Sequence, residues 1–247
     1  MTAETRVCAN CGQKFSIERE DFLFYEAIRA LPPTWCPECR MVRRMVFYNW
    51  RRPFRRKDAL AEKEMFSTIP QDAPLTVYDR DFWWSDRWDP LAYGREYDFS
   101  RPFFAQFRDL LTVVPVPARN IVNSVRSDYC DNALDLKNCY LSFELNDAEN
   151  SAYLLRGEYI KESFDLSEAR HTERSYGSFL LDEAYKVFFS VNCAESTEIW
   201  FSRNLTGCSH CFGCVNLRDK SYYIFNAPHT KEEYQKFLRE FDSGSYG

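Results

Sequence analysis

Four cysteines near the amino terminus have the residue type and the spacing of a metal site. Cys8 and Cys11 are separated by two residues, and Cys36 and Cys39 repeat that spacing after an interval of 24 residues. A Cys-x-x-Cys turn aims two thiolates at one ion, and two such turns complete the tetrahedral coordination that Zn²⁺ prefers. Gly12 suits the positive φ that often follows such a turn. The sequence therefore predicts a structural zinc ion with no open position for catalysis.

The residues between the two cysteine pairs must form the elements that bring the thiols together. Residues 15–17 alternate as in a short strand, and apolar residues of 22–29 recur at helical spacing before Pro32 ends the helix. A module this small needs its ion, which couples metal binding to folding. Two other interpretations are buried core thiols and a redox pair. The redox pair needs a thioredoxin-like setting that the flanking sequence lacks.

A second group of cysteines lies in the C-terminal half of the chain. Cys208, Cys211 and Cys214 are spaced by three residues around His210, with Cys193 upstream. Three thiolates and one imidazole could hold a second ion. The same cysteines could instead be small interior residues of a repeat, because free cysteine buries well.

A basic run without acidic residues occupies positions 40–57. Arginine bonds phosphate in two places and stacks on flat rings, so its alternation with aromatic residues suits contact with RNA or DNA. Alternatively, the aromatic residues pack in the core while the guanidinium groups contact the protein's own acidic remainder. The candidate contacts are Arg40, Arg43, Arg44, Arg51, Arg52, Arg55, Arg56 and Lys57, interleaved with Phe47, Tyr48, Trp50 and Phe54.

The charge and composition of the 247 residues limit the class of protein. Residues 1–60 carry 12 Lys and Arg against 7 Asp and Glu, which leaves 20 against 30 for the remainder. A hydrophobic content of 45% is enough for a core. No apolar run is long enough to cross a bilayer and no secretory signal is evident. We therefore expect a soluble, cytoplasmic protein without a membrane partner, whose thiols stay reduced.

The segment 61–118 is rich in aromatic residues and connects the head to the body. Trp83, Trp84 and Trp88 lie among aspartates, as they would in a sugar-binding platform. Packing is the simpler interpretation, because the aspartates are suited to turns and helix caps. Ser100-Arg101-Pro102 predicts the start of a short amphipathic helix that ends before "VPVP".

Residues 119–228 contain short strand-like segments that repeat every twelve residues. Cys139, Ser151, Ser163 and Ser175 are spaced by twelve, as are Ser196 and Cys208, but 21 residues separate Ser175 from Ser196. This pattern predicts a short parallel β-solenoid, whose coils stack about 4.8 Å apart. An antiparallel β-sandwich is the alternative. Asparagines that tolerate left-handed backbone are expected at the turns: Asn138, Asn150, Asn192, Asn204, Asn216 and Asn226.

The tail, residues 229–247, predicts an amphipathic helix that caps the solenoid. Thr230 and Glu233 have the spacing of a capping box. Its apolar residues share one face: Tyr234, Phe237, Leu238 and Phe241. A solenoid needs such a cap, because its open end would otherwise pair with other strands.

Several stretches also resemble a known group of proteins. "CANCGQKFSIEREDFLFY" followed by "PPTWCPECR" resembles the zinc-ribbon domain found at the start of many uncharacterised bacterial proteins. "VYDRDFWWSDRWDP" and "CFGCVNLRDKSYYIFNAP" are similar to a family that joins this ribbon to a cysteine-rich repeat region. The resemblance covers nearly the whole chain and implies zinc, without implying an activity. Many members carry a further Cys-x-x-Cys ribbon before the "VY" stretch, where this chain has no cysteine, so a second ion is not expected there.

These features predict an α+β, mostly β fold with four parts. They are a zinc ribbon with a basic extension (1–60), a connector (61–118), a β-solenoid (119–228) and a capping helix (229–247). The predicted function is that of a non-enzymatic binding or adaptor protein that contacts nucleic acid, or another protein on a solenoid face. The alternatives are a scaffold subunit and a solenoid hydrolase or lyase, with Asp165, Glu168 and Arg170 as candidate residues. The sequence leaves the oligomeric state open.

Overall fold

The structure is a computed structural model that describes residues 3–46 and 51–241. The chain forms two compact units, Met1–Trp50 and Arg51–Gly247. The aromatic residues Phe47, Tyr48 and Trp50 of the basic run lie outside the described residues. None of the helices in the described part of the chain is long and apolar enough to cross a membrane.

The first unit contains the strand and helix that the sequence predicts between the cysteine pairs. Strands β1 (Glu4–Val7) and β2 (Lys14–Ile17) form an antiparallel hairpin. Helix α1 (Arg19–Ala27) begins with a reciprocal cap between Glu18 and Asp21. Helix α2 (Pro37–Met45) begins directly after Cys36, with proline at its first position, where no backbone N–H is needed.

A second hairpin opens the larger unit and repeats the first one fifty residues later. Strands β3 (Phe54–Lys57) and β4 (Glu64–Ser67) pair so that Phe54 opposes Ser67, as Glu4 opposes Ile17 in the first hairpin. The turns also match, because Asp58 N–H donates to Lys63 O as Cys8 N–H donates to Gln13 O. The segment that follows the basic run therefore has the backbone of a ribbon hairpin.

The aromatic connector is built from short elements. These are β5 (Val77–Tyr78), α3 (Arg80–Trp83), a 3-10 helix (Pro90–Tyr93), α4 (Phe103–Val113) and β6 (Val116–Pro117). The indole of Trp83 donates to Pro115 O at 2.8 Å, and that of Trp88 donates to Trp83 O at 2.7 Å. These contacts agree with the packing interpretation. The helix predicted after Pro102 is confirmed as α4.

The body is a parallel β-solenoid of about nine coils, as predicted. Parallel strands pair at an offset of twelve residues, for example Ala152 with Phe164 and Phe164 with Tyr176, which excludes the antiparallel sandwich. The strands are β7 (Ile121–Val122), β8 (Asp131–Lys137), β9 (Phe143–Glu149), β10 (Ala152–Lys161), β11 (Phe164–Glu173), β12 (Tyr176–Phe188), β13 (Val191–Ala194), β14 (Thr197–Trp200), β15 (Arg203–Thr206), β16 (Ser209–Phe212), β17 (Val215–Arg218), β18 (Ser221–Ile224) and the antiparallel β19 (Ala227–Pro228).

Within each coil the unit is three residues, which the sequence did not reveal. Every third residue from Ser127 to Cys214 is buried, and every third residue from Asn132 to Phe225 has a positive φ. Each coil of twelve thus has four sides, each with one inward side chain. The irregular interval of 21 residues from Ser175 to Ser196 equals seven triplets. Ser196 therefore still points inward, as Ser175 does, but it lies on a different side of the solenoid.

Buried serines satisfy the backbone of the coils. The Ser163 hydroxyl donates to Lys161 O at 2.7 Å and accepts from the N–H of Ser175, one coil further, at 3.1 Å. Ser151 makes the same two contacts. This arrangement stabilises the corners, where a buried backbone N–H without an acceptor would be costly. The predicted turn asparagines are confirmed, since all six have positive φ and some stack, as Asn192, Asn204 and Asn216 do.

The predicted C-terminal helix is confirmed as α5 (Lys231–Glu240), with the capping box of Thr230 and Glu233. Tyr234 of this helix is buried and packs in a cluster with Phe212 and Ile224 from the last coils. The helix therefore covers apolar side chains at the end of the solenoid.

Candidate metal centre

The four predicted thiols converge in the first unit. Their Sγ atoms all lie within 4.8 Å of one another, and Cys11 Sγ is 3.8 Å from Cys36 Sγ. A tetrahedral ion with S-ligand bonds of about 2.3 Å requires S···S separations of about 3.8 Å. The four cysteines Cys8, Cys11, Cys36 and Cys39 can therefore bind a metal ion without rearrangement of the backbone.

Each cysteine pair is held by a defined local element. Cys8 and Cys11 lie in the turn between β1 and β2, which Gly12 closes with φ 75°. Cys36 is the N-cap of α2, so Cys39 lies in the first turn of that helix. The hairpin and the helix start thus each present two sulfurs to one point. Cys8 and Cys36 are buried while Cys11 is exposed, which differs from ordinary core thiols.

Hydrogen bonds support the negative charge on the sulfurs. Cys36 N–H donates to Cys8 Sγ at 3.2 Å, and the side-chain amide of Asn10 donates to Cys39 Sγ at 3.3 Å. Burial opposes ionisation of Cys8, but N–H groups of Cys11, Cys36 and Asn10 lower its pKa to about 6. Asn10 also lowers the pKa of Cys39, but the neighbouring sulfurs outweigh it and raise that pKa to about 12. A cation between the four sulfurs would offset this mutual repulsion and favour the thiolate form of all of them.

The second hairpin has a carboxylate at the position of the first cysteine of this clasp. Asp58 stands where Cys8 stands in the first hairpin, and Ala61 stands where Cys11 does. The Asp58 carboxylate accepts the N–H of Ala61 at 2.7 Å and the N–H of Asp79 at 3.0 Å. The second contact corresponds to Cys36 N–H donating to Cys8 Sγ. One carboxylate thus ties the turn to the following helix start, a role that the sequence reasoning missed because no cysteine marks it.

Two basic residues of α2, Arg43 and Arg44, are exposed on the first unit, and Arg40 is half-buried. Arg43 lies with its guanidinium carbon 5.1 Å from the centre of the Trp35 ring. Arg40 lines a cavity of about 280 Å³ together with Pro32, Pro33 and Trp35, and its buried Nε has no hydrogen-bond partner among the described residues. Among residues 3–46 of the first unit, no carboxylate forms a salt bridge with Arg40, Arg43 or Arg44.

The remaining basic candidates, on the larger unit, have mixed environments. Arg56 is only 8% exposed, and its guanidinium donates to the backbone carbonyls of Pro70 and Leu75. Its inclusion among the partner contacts is therefore not supported, because the group is used to hold the connector. Arg51 lies 4.0 Å from Glu144 of the solenoid, which agrees with the internal-docking alternative for this residue. Arg52, Arg55 and Lys57 are exposed.

The C-terminal cysteines do not converge with His210. Cys208, Cys211 and Cys214 are inward-facing residues of one coil, all almost fully buried. His210 occupies a corner with φ 53°, stacks on Tyr222 and lies 2.9 Å from Glu198. Burial raises the pKa of the nearby Cys193 to about 11, which favours the neutral thiol. This placement favours the interior-packing interpretation of the group.

The solenoid carries a polar groove of about 750 Å³ on one side. The enzyme candidates Glu168 and Arg170 line it, whereas Asp165 does not. Glu168 pairs with Arg156 at 2.7 Å, and Arg170 pairs with Asp182 at 3.5 Å. Their charges are therefore matched coil to coil, an arrangement that stacks the solenoid and does not bring the three candidates to one point.

Comparison with known proteins gives no family assignment. No family model matches the chain, and a search of the curated proteins gives no match.

Proposed function

We propose that this protein is a zinc-stabilised, non-catalytic binding protein whose first unit contacts RNA or DNA through helix α2. The observation that carries the proposal is the combination of exposed arginines on α2 with the ring of Trp35. Guanidinium groups next to an aromatic ring are suited to hold phosphates while a base stacks. An ion at the cysteine cluster fixes the start of this helix and so the surface itself.

Zinc is the ion that suits the donor set. Four thiolates select Zn²⁺ over the hard cations Mg²⁺ and Ca²⁺, which prefer oxygen. Four protein ligands leave no position for water or substrate, so the ion is structural. All ten cysteines are free thiols. A reducing compartment such as the cytoplasm is therefore the expected location. The resemblance to bacterial zinc-ribbon proteins points to the same metal.

The charge distribution supports an external anionic partner for α2. Arg51, at the start of the larger unit, lies 4.0 Å from Glu144. Among residues 3–46 of the first unit no carboxylate pairs with the arginines of α2, and unneutralised arginine clusters attract phosphates over a Debye length of about 8 Å at physiological salt.

Nucleic-acid binding is tested by fluorescence anisotropy of labelled single-stranded RNA and DNA over a salt series. The variant replaces Arg40, Arg43 and Arg44 by alanine. Loss of three phosphate contacts should reduce the slope of log K against log[salt] by about two to three. The matched control replaces Arg95, Arg101 and Arg108, three arginines of the connector, and should retain the slope.

Zinc content is measured on both variants, so that loss of the ion is not mistaken for loss of the surface. Trp35→Ala should weaken binding of single strands by about tenfold, since base stacking contributes about 1–3 kcal/mol. The proposal fails if the intact protein has no affinity at low salt, or if the α2 variant binds as the intact protein does.

A further inference from the structure

A small cavity on the first unit lies between the loop that precedes Cys36 and the first turns of helix α2. Its volume is about 280 Å³. This is slightly below the roughly 300–1,000 Å³ of pockets that bind drug-sized ligands, so the cavity suits a group of the size of one nucleobase. The loop and the helix both contribute to its lining, which includes Pro32, Pro33, Trp35, Arg40 and Arg43.

The loop side of the cavity is formed by rings. Pro32 and Pro33 have no backbone N–H, so they offer no donor to a ligand. The ring of Trp35 is half-buried, and the guanidinium carbon of Arg43 lies 5.1 Å from its centre. Bases stack on indole rings and on guanidinium planes alike. This side therefore favours a flat base over a phosphate group, which would need several donors.

Arg40 supplies the polar group on the helix side. Its side chain is half-buried and forms no hydrogen bond or salt bridge among residues 3–46 of the first unit. Its Nε is covered by protein atoms, so the two terminal nitrogens are the part of the guanidinium that a ligand can reach. A guanidinium has donors only, arranged as a rigid fork. The cavity therefore requires a ligand with two adjacent acceptors.

Guanine is the base that meets this requirement. Its O6 and N7 are adjacent acceptors, and an arginine bonded to both is the commonest specific contact between proteins and bases. Adenine presents an amino group beside N7, and cytosine also presents an amino group, so each would set donor against donor. Thymine and uracil offer O4 alone at that edge.

The cysteine clasp holds both sides of the cavity in place. Ala9 N–H, in the turn of the first cysteine pair, donates to Thr34 O at 2.9 Å, which ties the loop to that turn. Cys36 N–H donates to Cys8 Sγ at 3.2 Å, and Arg40 N–H donates to Cys36 O at 3.0 Å within the helix. The loop and the helix start are thus positioned before a ligand arrives, which lowers the entropic cost of binding.

We propose that this cavity binds one guanine of a single strand, with the base against the Trp35–Arg43 pair and its O6 and N7 accepting from the guanidinium of Arg40. The inference rests on the proposed contact of α2 with RNA or DNA and names the base that this contact selects. Arg44 is exposed and contacts a flanking phosphate, which carries no sequence information. A single strand is required, because the base must leave its stack to enter the cavity.

The test uses short labelled oligothymidine strands with one central guanine, adenine, inosine or 7-deazaguanine, titrated with the intact chain in fluorescence anisotropy. The guanine strand should bind about tenfold or more tightly than the adenine strand. Inosine keeps both acceptors and should bind as guanine does. The 7-deazaguanine strand lacks N7 and should bind about as weakly as the adenine strand. These strands test the contact in the intact protein, so the result does not depend on the folding of a variant.

Two variants then assign the preference to Arg40. Arg40→Lys keeps the charge but removes the fork, so it should lose the preference for guanine while the slope of log K against log[salt] changes by under about one. The matched control Arg44→Ala should lower that slope by about one and keep the preference. Zinc content is measured on both variants.

Equal binding of the guanine and adenine strands overturns the inference and leaves the proposed function standing, because phosphate contacts alone then account for the affinity. A preference that 7-deazaguanine or Arg40→Lys leaves unchanged also overturns it. Weakening of all strands alike by Arg40→Lys would place a phosphate in the cavity and overturn the assignment of a base. Absence of affinity for every strand at low salt contradicts the proposed function itself and the inference with it.

Discussion

Removing the Asp58 carboxylate should loosen the second hairpin from the connector. This carboxylate accepts two backbone N–H groups, from Ala61 at 2.7 Å and from Asp79 at 3.0 Å, and the residue is 4% exposed. In Asp58→Ala both N–H groups lose their acceptor while remaining shielded from water. Hydrogen bonds to charged groups contribute about 1.5–3 kcal/mol each. The free energy of unfolding of the larger unit should therefore fall by about 3–5 kcal/mol.

The conservative variant Asp58→Asn separates the hydrogen bonds from the volume of the side chain. The side-chain oxygen of the asparagine can still accept one of the two N–H groups. Its NH₂ group is a donor, so the other N–H loses its acceptor. The loss should be about half of that for Asp58→Ala, about 2 kcal/mol. Asp81→Ala is the surface control, because the Asp81 side chain is largely exposed and should contribute under about 1 kcal/mol through its salt bridge with Arg80.

The assay is thermal unfolding with hydrogen exchange of the hairpin amides, because a two-unit protein need not unfold in one step. A loss of 3–5 kcal/mol should lower the unfolding midpoint by about 10 °C for a unit of this size. Exchange at Ala61 and Asp79 should accelerate before that at the solenoid strands. If Asp58→Ala is no less stable than Asp81→Ala, the carboxylate does not hold the hairpin and the comparison with Cys8 is wrong.

Three further predictions concern the solenoid and the metal. Gly157→Ala should lower the free energy of unfolding by about 2 kcal/mol or more, because the new Cβ would clash with the backbone oxygen of Ala169; chemical denaturation measures the loss. Asp135→Gly should raise it by about 1 kcal/mol in the same measurement, because Asp135 is exposed and held at φ 56°, where glycine is unstrained. Chelation, or acid that protonates the thiolates, should unfold the first unit while the β-sheet circular dichroism of the solenoid persists.

The convergence of the four cysteines was predictable because the cysteines carry the signal themselves. Two Cys-x-x-Cys pairs specify the coordination, and the intervening residues specify the strand and the helix that position it. Asn10 and Asp58 were not predictable in the same way, because their roles depend on backbone N–H groups that only the folded turns bring near. Arg56 was included among the partner contacts for a related reason. The sequence shows that it belongs to a basic run, but only the fold shows that its guanidinium donates to backbone carbonyls.

The twelve-residue coil of the solenoid was predictable from the sequence, but the three-residue repeat within each coil was not. Twelve-residue spacing of small residues is visible, but the inward position alternates among Leu, Ala, Ser, Cys and Gly, so hydrophobicity alone does not reveal it. The left-handed corners are also hidden, because Glu, Arg and Tyr occupy them as well as Asn. For the same reason His210 was placed among the cysteines, although a corner residue of this fold points outward.

We expect the two units to be stabilised by different interactions. The first unit should depend on an ion held by its four cysteines, whereas the solenoid depends on a backbone ladder and buried serines that no chelator affects. A left-handed residue costs about 1–2 kcal/mol, and the solenoid sustains one at every third position only because each coil satisfies the next. Removal of the metal should therefore abolish nucleic-acid binding by α2 while the solenoid stays folded. Joint loss of both would mean that the solenoid, too, depends on the ribbon.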